Sequence, residues 1–135
     1  MSSGKAPIRR VHHMIAAAVA QAADAGIAVI RAPFAGTVAA VTYVPSTTIT
    51  GANTNTRKLE LINKGQSGAG TTVMASIQFD SGVNATAFDE KGLTLSGTAD
   101  NLKFAAGDVL AWVSTHLASG IADPGGLVIA ELVRD

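Results

Sequence analysis

Downstream of residue 26 the chain alternates apolar and polar positions with a period of two, the mark of strands with one buried face. In the segment 72–79, Val73, Ala75, Ile77 and Phe79 fall on one face and Thr72, Met74, Ser76 and Gln78 on the other. Arg57–Ile62 turns Leu59 and Leu61 inward, with Lys58 and Glu60 outward. The same reading predicts strands at 27–32, 37–44, 92–96, 101–104, 108–114 and 127–133. Turn clusters separate them: Asn63-Lys-Gly65, Asp80-Ser-Gly82, Ala106-Gly-Asp108 and Asp123-Pro-Gly-Gly126. In the last, Pro124 and Gly125 suit the two central positions of a type II turn. Residues 83–91 read as a helical turn or a crossover loop. About eight short strands at this spacing predict an all-β fold, a β-sandwich or jelly roll of antiparallel strands.

Residues 1–26 have another character. The run 14–25 is rich in Ala, with Gln21 and Asp24, and by propensity predicts a short helix capped by Gly26. Such a helix is marginal in water and has few bulky groups to anchor it. The sequence thus divides into an extended or short-helical N-terminal arm (1–26) and a β-sandwich domain (27–135). The arm lies either on a partner surface, its expected place, or back on its own domain. It resembles a secretory signal in placing Lys5, Arg9 and Arg10 before an apolar run, but that run is short and mostly Ala, so no signal is expected.

Composition narrows the function. The 135 residues suffice for one domain. Aromatic residues form only 4% of the chain, so Val, Leu, Ile and Ala must build the core. Net charge is zero, which leaves no basic stripe for nucleic acid. Little charge repulsion opposes self-association. With no cysteine, disulfides, thiolate metal sites and a cysteine nucleophile are excluded. No apolar run approaches the roughly 18–20 residues of a membrane span. Charge is uneven: Lys5, Arg9, Arg10 and Arg31 against Asp24 give residues 1–31 a net +3, and the remainder −3. An arm carrying Lys5, Arg9, Arg10, His12, His13 and Ile15 is therefore the candidate contact with an acidic neighbour.

Reactive motifs fall short. Gly65-Gln-Ser-Gly-Ala-Gly-Thr-Thr72 has Thr71 where a phosphate-binding loop needs Lys, and a strand pattern follows in place of a helix. Ser67 lacks the second glycine of a nucleophile elbow, and no spacing selects an acid for His116 from Asp80, Asp89, Asp108 or Asp123. His12 and His13 are adjacent and point apart, so they cannot chelate one ion. Asp89 and Glu90 are neighbours, unlike glycosidase carboxylates that face each other across a sugar. Trp112 and Tyr43 sit within strand patterns, where a core or interface role outweighs a sugar platform. The expectation is a protein without enzymatic activity, cofactor or metal.

Certain phrases carry a resemblance. Thr50-Gly-Ala-Asn-Thr-Asn-Thr-Arg57, Ile62-Asn-Lys-Gly65, Ala106-Gly-Asp-Val-Leu110 and Gly120-Ile-Ala-Asp-Pro-Gly-Gly-Leu-Val128 resemble small β-structured virion proteins of tailed bacteriophages. In particular they are similar to capsid decoration, or cement, proteins, in which a basic or Ala-rich arm precedes a β-sandwich. The resemblance implies a structural protein on the virion surface, made in the host cytoplasm. Its partners would be the major capsid protein and itself, as a homotrimer, with neither nucleic acid nor membrane involved. The alternative is a tail-fibre or carbohydrate-binding β-sandwich module.

Overall fold

The computed structural model describes residues 8–135. Its strands are β1 (Arg9–Ala16), β2 (Ala25–Arg31), β3 (Gly36–Pro45), β4 (Thr56–Asn63), β5 (Thr72–Gln78), β6 (Lys91–Gly92), β7 (Thr94–Leu95), β8 (Lys103–Phe104), β9 (Val109–Leu117) and β10 (Gly126–Arg134). One 3-10 turn, Ala99–Leu102, precedes β8. The strands form two antiparallel sheets, packed as a β-sandwich. The first runs β1-β10-β3-β6, with β8 also on β3; the second runs β2-β9-β4-β5-β7. The expected all-β sandwich is therefore the fold. Ten strands replace about eight partly because the stretch expected at 92–96 serves both sheets. Gly92 pairs with Thr42 in the first and Leu95 with Ala75 in the second, with Leu93 buried between them.

Between the sheets lie Val38, Val41 and Tyr43 of β3 and Val128, Ala130 and Leu132 of β10. Leu59 and Leu61 of β4, Met74 and Ala75 of β5, and Leu110 and Trp112 of β9 face them. Three bulges adjust the alternation, one of them at Val29 of β2. Leu132 pairs with Val38 while Glu131 pairs with Ala40, so Ala39 is the extra residue and Val38 and Val41 both turn inward. In β5, Leu61 pairs with Ala75 but Ile62 with Val73, so Met74 bulges into the core beside Ala75. The face expected from Val73, Ala75, Ile77 and Phe79 is corrected accordingly: Val73 shares the opposite face with Ile62, and Met74 takes the inner place. The turn glycines behave as expected, with Gly65, Gly82, Gly107 and Gly125 all at positive φ, where a side chain would be strained.

The N-terminal segment differs most from expectation. No helix spans 14–25. Residues 9–16 instead form β1, whose eight residues pair without interruption against β10 of the same chain. Gly26, expected as a helix cap, lies within β2. Of the two placements open to the arm, the described part takes the second and rests on its own domain. Tertiary pairing overrides helix propensity here because a twelve-residue Ala-rich helix gains little on its own. The carbonyls of the crossover 17–24 are also claimed by another group, described next.

Candidate assembly surface

Arg57 is the second residue of β4, with its side chain on the same face as Leu59 and Leu61, and it is fully buried. All five guanidinium N–H groups have acceptors. Nε donates to Ile121 O (2.8 Å), Nη1 to Ala23 O (2.8 Å) and Ser114 Oγ (3.2 Å), and Nη2 to Ala20 O (2.8 Å) and Gln21 O (3.0 Å). Burial pulls the guanidinium pKa down, opposed by the carboxylates of Asp123 and Asp24. Ser114 Oγ in turn donates to Asp123 Oδ2 (2.8 Å), while Tyr43 Oη (2.7 Å) and the Gly125 N–H (3.0 Å) donate to Oδ1. Burial, with the neighbouring Asp123 carboxylate, raises the Tyr43 pKa far above the ordinary phenol value. The network fixes two surface segments at once: the β1–β2 crossover and the Asp123–Gly126 turn, bridged further by Val19 and Asp123 through both backbone bonds (2.8 and 2.9 Å).

Those segments frame an apolar area on the outer face of the first sheet. Because Val128 and Ala130 point inward, their neighbours Leu127 and Ile129 point outward, together with Ile15 and His13 opposite them on β1 and Val44 opposite Leu127 on β3. A shallow concavity of about 480 Å³ is lined by Ile15, Val44, Pro45, Phe88, Pro124 and Leu127, among others. Its two most prominent side chains are Ile15, 74% exposed, and Phe88, 82% exposed. Phe88 is unusual twice over, since it also sits at φ 61, a left-handed conformation that costs a bulky residue about 1–2 kcal/mol. Its N–H donates to Pro45 O (2.9 Å), and the preceding Ala87 N–H to Thr48 Oγ1 (3.0 Å), so the loop is held in place. Asp89 and Glu90 follow at once on the acidic side.

Of the contact residues expected from the sequence, the structure brings Arg9, His13 and Ile15 onto this outward face. Arg9 is paired with Glu131, His13 is exposed opposite Ile129, and Ile15 lies within the apolar area. Arg10 and His12 alternate to the other face of β1. Arg10 is exposed, and His12 is half-buried with Nδ1 unpartnered. Burial, with Arg10 and His13 nearby, lowers the His12 pKa. Lys5 lies outside the described residues.

The remaining candidates are placed as follows. Residues 64–71 connect β4 to β5 as a hairpin loop. His116 meets none of the acids considered for it; its Nδ1 contacts Asp24 Oδ1 at 2.6 Å, and its backbone N–H donates to the same oxygen at 2.8 Å. These bonds hold the Asp24 pKa below the usual carboxylate range. Asp108 is likewise lowered, by the Asn63 side chain, the Ala105 N–H and Gln66, and braces its own loop. Tyr43 and Trp112 are buried and tilt against each other at 5.5 Å, which takes both away from any exposed sugar platform.

Sequence reasoning missed Arg57 and Phe88. Period two gave a signal for the first, since it places Arg57 with Leu59 and Leu61. For Phe88 there was only an aromatic residue inside a polar loop.

No protein-family model matches the sequence, and no curated protein matches it. Among solved structures, the chain is similar to one in a structure of infectious bursal disease virus, Gx strain. Identity is 10% and the TM-score 0.40, over 93% of this chain and 32% of that one. The chain thus spans about a third of that neighbour.

Proposed function

We propose that the protein is a structural virion protein that binds the outside of an assembled bacteriophage capsid and stabilises it by bridging neighbouring capsomers, as an oligomer. The observation that carries this is the outward apolar area built around Ile15 and Phe88. A free-standing domain gains nothing from an exposed aromatic ring in a strained backbone conformation; a docking surface does, because such a ring supplies much of an interface's energy once covered. Acidic Asp89 and Glu90 beside the ring, with the Arg9–Glu131 pair further along the face, give the surface a polar rim around an apolar centre. The resemblance of the turn phrases to phage decoration proteins points the same way. In this reading the major capsid protein is the partner, the site has no cofactor and the protein is not an enzyme. Stabilisation follows from mass action, since binding only the assembled shell shifts it away from dissociation, and repeated sites add avidity.

The test is co-sedimentation with expanded tailed-phage capsids stripped of their outer proteins. The wild-type protein should pellet with the shell, and Phe88→Ser combined with Ile15→Ser should leave it in the supernatant with its fold intact. Equal pelleting of the folded double variant would refute the assignment of this surface.

A further inference from the structure

We propose that β1 is a self-recognition strand: a second copy of this chain pairs with its free edge, β1 antiparallel to β1, about a two-fold axis passing at His13. The proposal goes beyond the shell reading, for it concerns the protein alone, and of the Ile15–Phe88 pair that carries that reading it shares only Ile15.

Three observations on the edge lead to it. First, among the described residues β1 is bonded on one side only, to β10, over eight pairs without a bulge. The far side of the sandwich is guarded by strands two residues long, β6, β7 and β8. Edges are usually protected by shortness, bulges, proline or charge. The charges of β1 stand at its first two positions, leaving residues 11–16 unguarded. Second, Arg134 N–H donates to Ile8 O at 2.8 Å. Within a strand the N–H and C=O of one residue point the same way and alternate along the chain. Even-numbered residues therefore face β10, and Val11, His13 and Ile15 direct their backbone groups to the open side. Third, Val11 and Ile15 are exposed at 51% and 74% although both are β-branched and outward on the same face.

The side chains select the register. With His13 opposite His13 of the second copy, Val11 meets Ile15 of that copy on both sides of the axis, and all three residues exchange backbone hydrogen bonds. A slip of two residues sets Val11 against His13 instead and brings Arg9 opposite Ile15. In the chosen register Arg10 lies opposite Ala16 of the second copy, six residues from its own mate. At about 3.4 Å per residue this is roughly 20 Å, beyond the Debye length of about 8 Å in physiological salt. Arg9 is further still and is already paired with Glu131. The contact uses the same strand on both partners and closes on itself, giving a dimer. It is thus distinct from the trimer that the sequence resemblance implies.

Sedimentation equilibrium from about 1 to 200 μM, a span suited to a micromolar constant, should show a monomer–dimer equilibrium. His13→Pro removes an N–H that faces the open edge and takes nothing from the ladder to β10, a position where proline is tolerated; it should be monomeric with an unchanged far-UV circular dichroism spectrum. Ile15→Lys provides a second monomeric variant should the proline disturb folding. Since the chain has no cysteine, His13→Cys should yield a disulfide-linked dimer on mild oxidation, the opposed Cα atoms lying about 5.5 Å apart. Thr42→Cys, two strands inward on the same face, should not. A monomer throughout, a dimer of the folded His13→Pro and Ile15→Lys variants, or a dimer that His13→Cys does not cross-link overturns the proposal. Phe88→Ser alone, which spares Ile15, should leave dimerisation unchanged while shell pelleting falls, so loss of shell binding and loss of self-pairing are read separately.

Discussion

Replacing Arg57 by Met keeps the aliphatic stem and removes five hydrogen bonds, leaving the carbonyls of Ala20, Gln21, Ala23 and Ile121 and the Ser114 hydroxyl without their donor. At about 1 kcal/mol net for each bond the ceiling is near 5 kcal/mol. Ala20 and Gln21 are exposed residues whose carbonyls regain water when the crossover lifts, which trims the figure to about 3–4 kcal/mol. That agrees with the roughly 3–5 kcal/mol expected when one member of a buried charged network is removed, here leaving Asp123 without the favourable charge of Arg57. For a chain of this length 1 kcal/mol corresponds to about 4 °C, so Tm should fall by roughly 12–16 °C. Arg57→Lys, with three donors for five acceptors, should fall between the two. Urea unfolding followed through Trp112, the sole tryptophan and packed on Tyr43, measures the loss directly. Hydrogen exchange should show 17–24 opening before the sheets. A Tm drop below about 4 °C in Arg57→Met, where 3–4 kcal/mol is expected, would refute the clamp and with it the account of why the tail folds onto its own domain.

Tyr43 is the single tyrosine, and its raised pKa means that the folded state keeps a proton the unfolded chain releases above about pH 10. The stabilisation is complete below that pH and is lost above it at about 1.4 kcal/mol per unit; absorbance at 295 nm should therefore show phenolate appearing only with alkaline unfolding. Deleting residues 1–26, which an arm would survive, should leave an insoluble or unfolded product, because it removes β1 and three acceptors of Arg57; a soluble product with native circular dichroism would contradict this. Phe88→Gly relieves the left-handed strain and should hold or raise Tm by a few degrees, while shell co-sedimentation is lost. Gly51→Ala should destabilise by about 2 kcal/mol or more in urea, since a Cβ there would lie 1.8 Å from Asp80 O.

Periodicity reads a strand wherever one face is buried and the ladder is regular, so β3, β4, β9 and β10 were legible from Val, Leu and Ile spacing alone. It fails at Met74 and Ala39, where one inserted residue reverses the faces without any composition signal. The tail misled for another reason. Ala has high helix propensity and contributes little to either outcome by packing, so a remote residue decides; Arg57, more than thirty positions away, captures the carbonyls that a helix would have used. The candidate surface was half visible: Ile15 followed from the tail's composition, whereas Phe88, Val44 and Pro124 meet it only through the sandwich, and no local pattern records that meeting.

The crossing at Leu93 has a further consequence. By splitting one stretch between both sheets, the chain leaves only stubs along that flank, too brief to template a neighbour. The molecule therefore has a mute side and a receptive side. A body so polarised joins a mate through β1 and offers a third copy only stubs on its opposite flank, so growth by that flank is opposed.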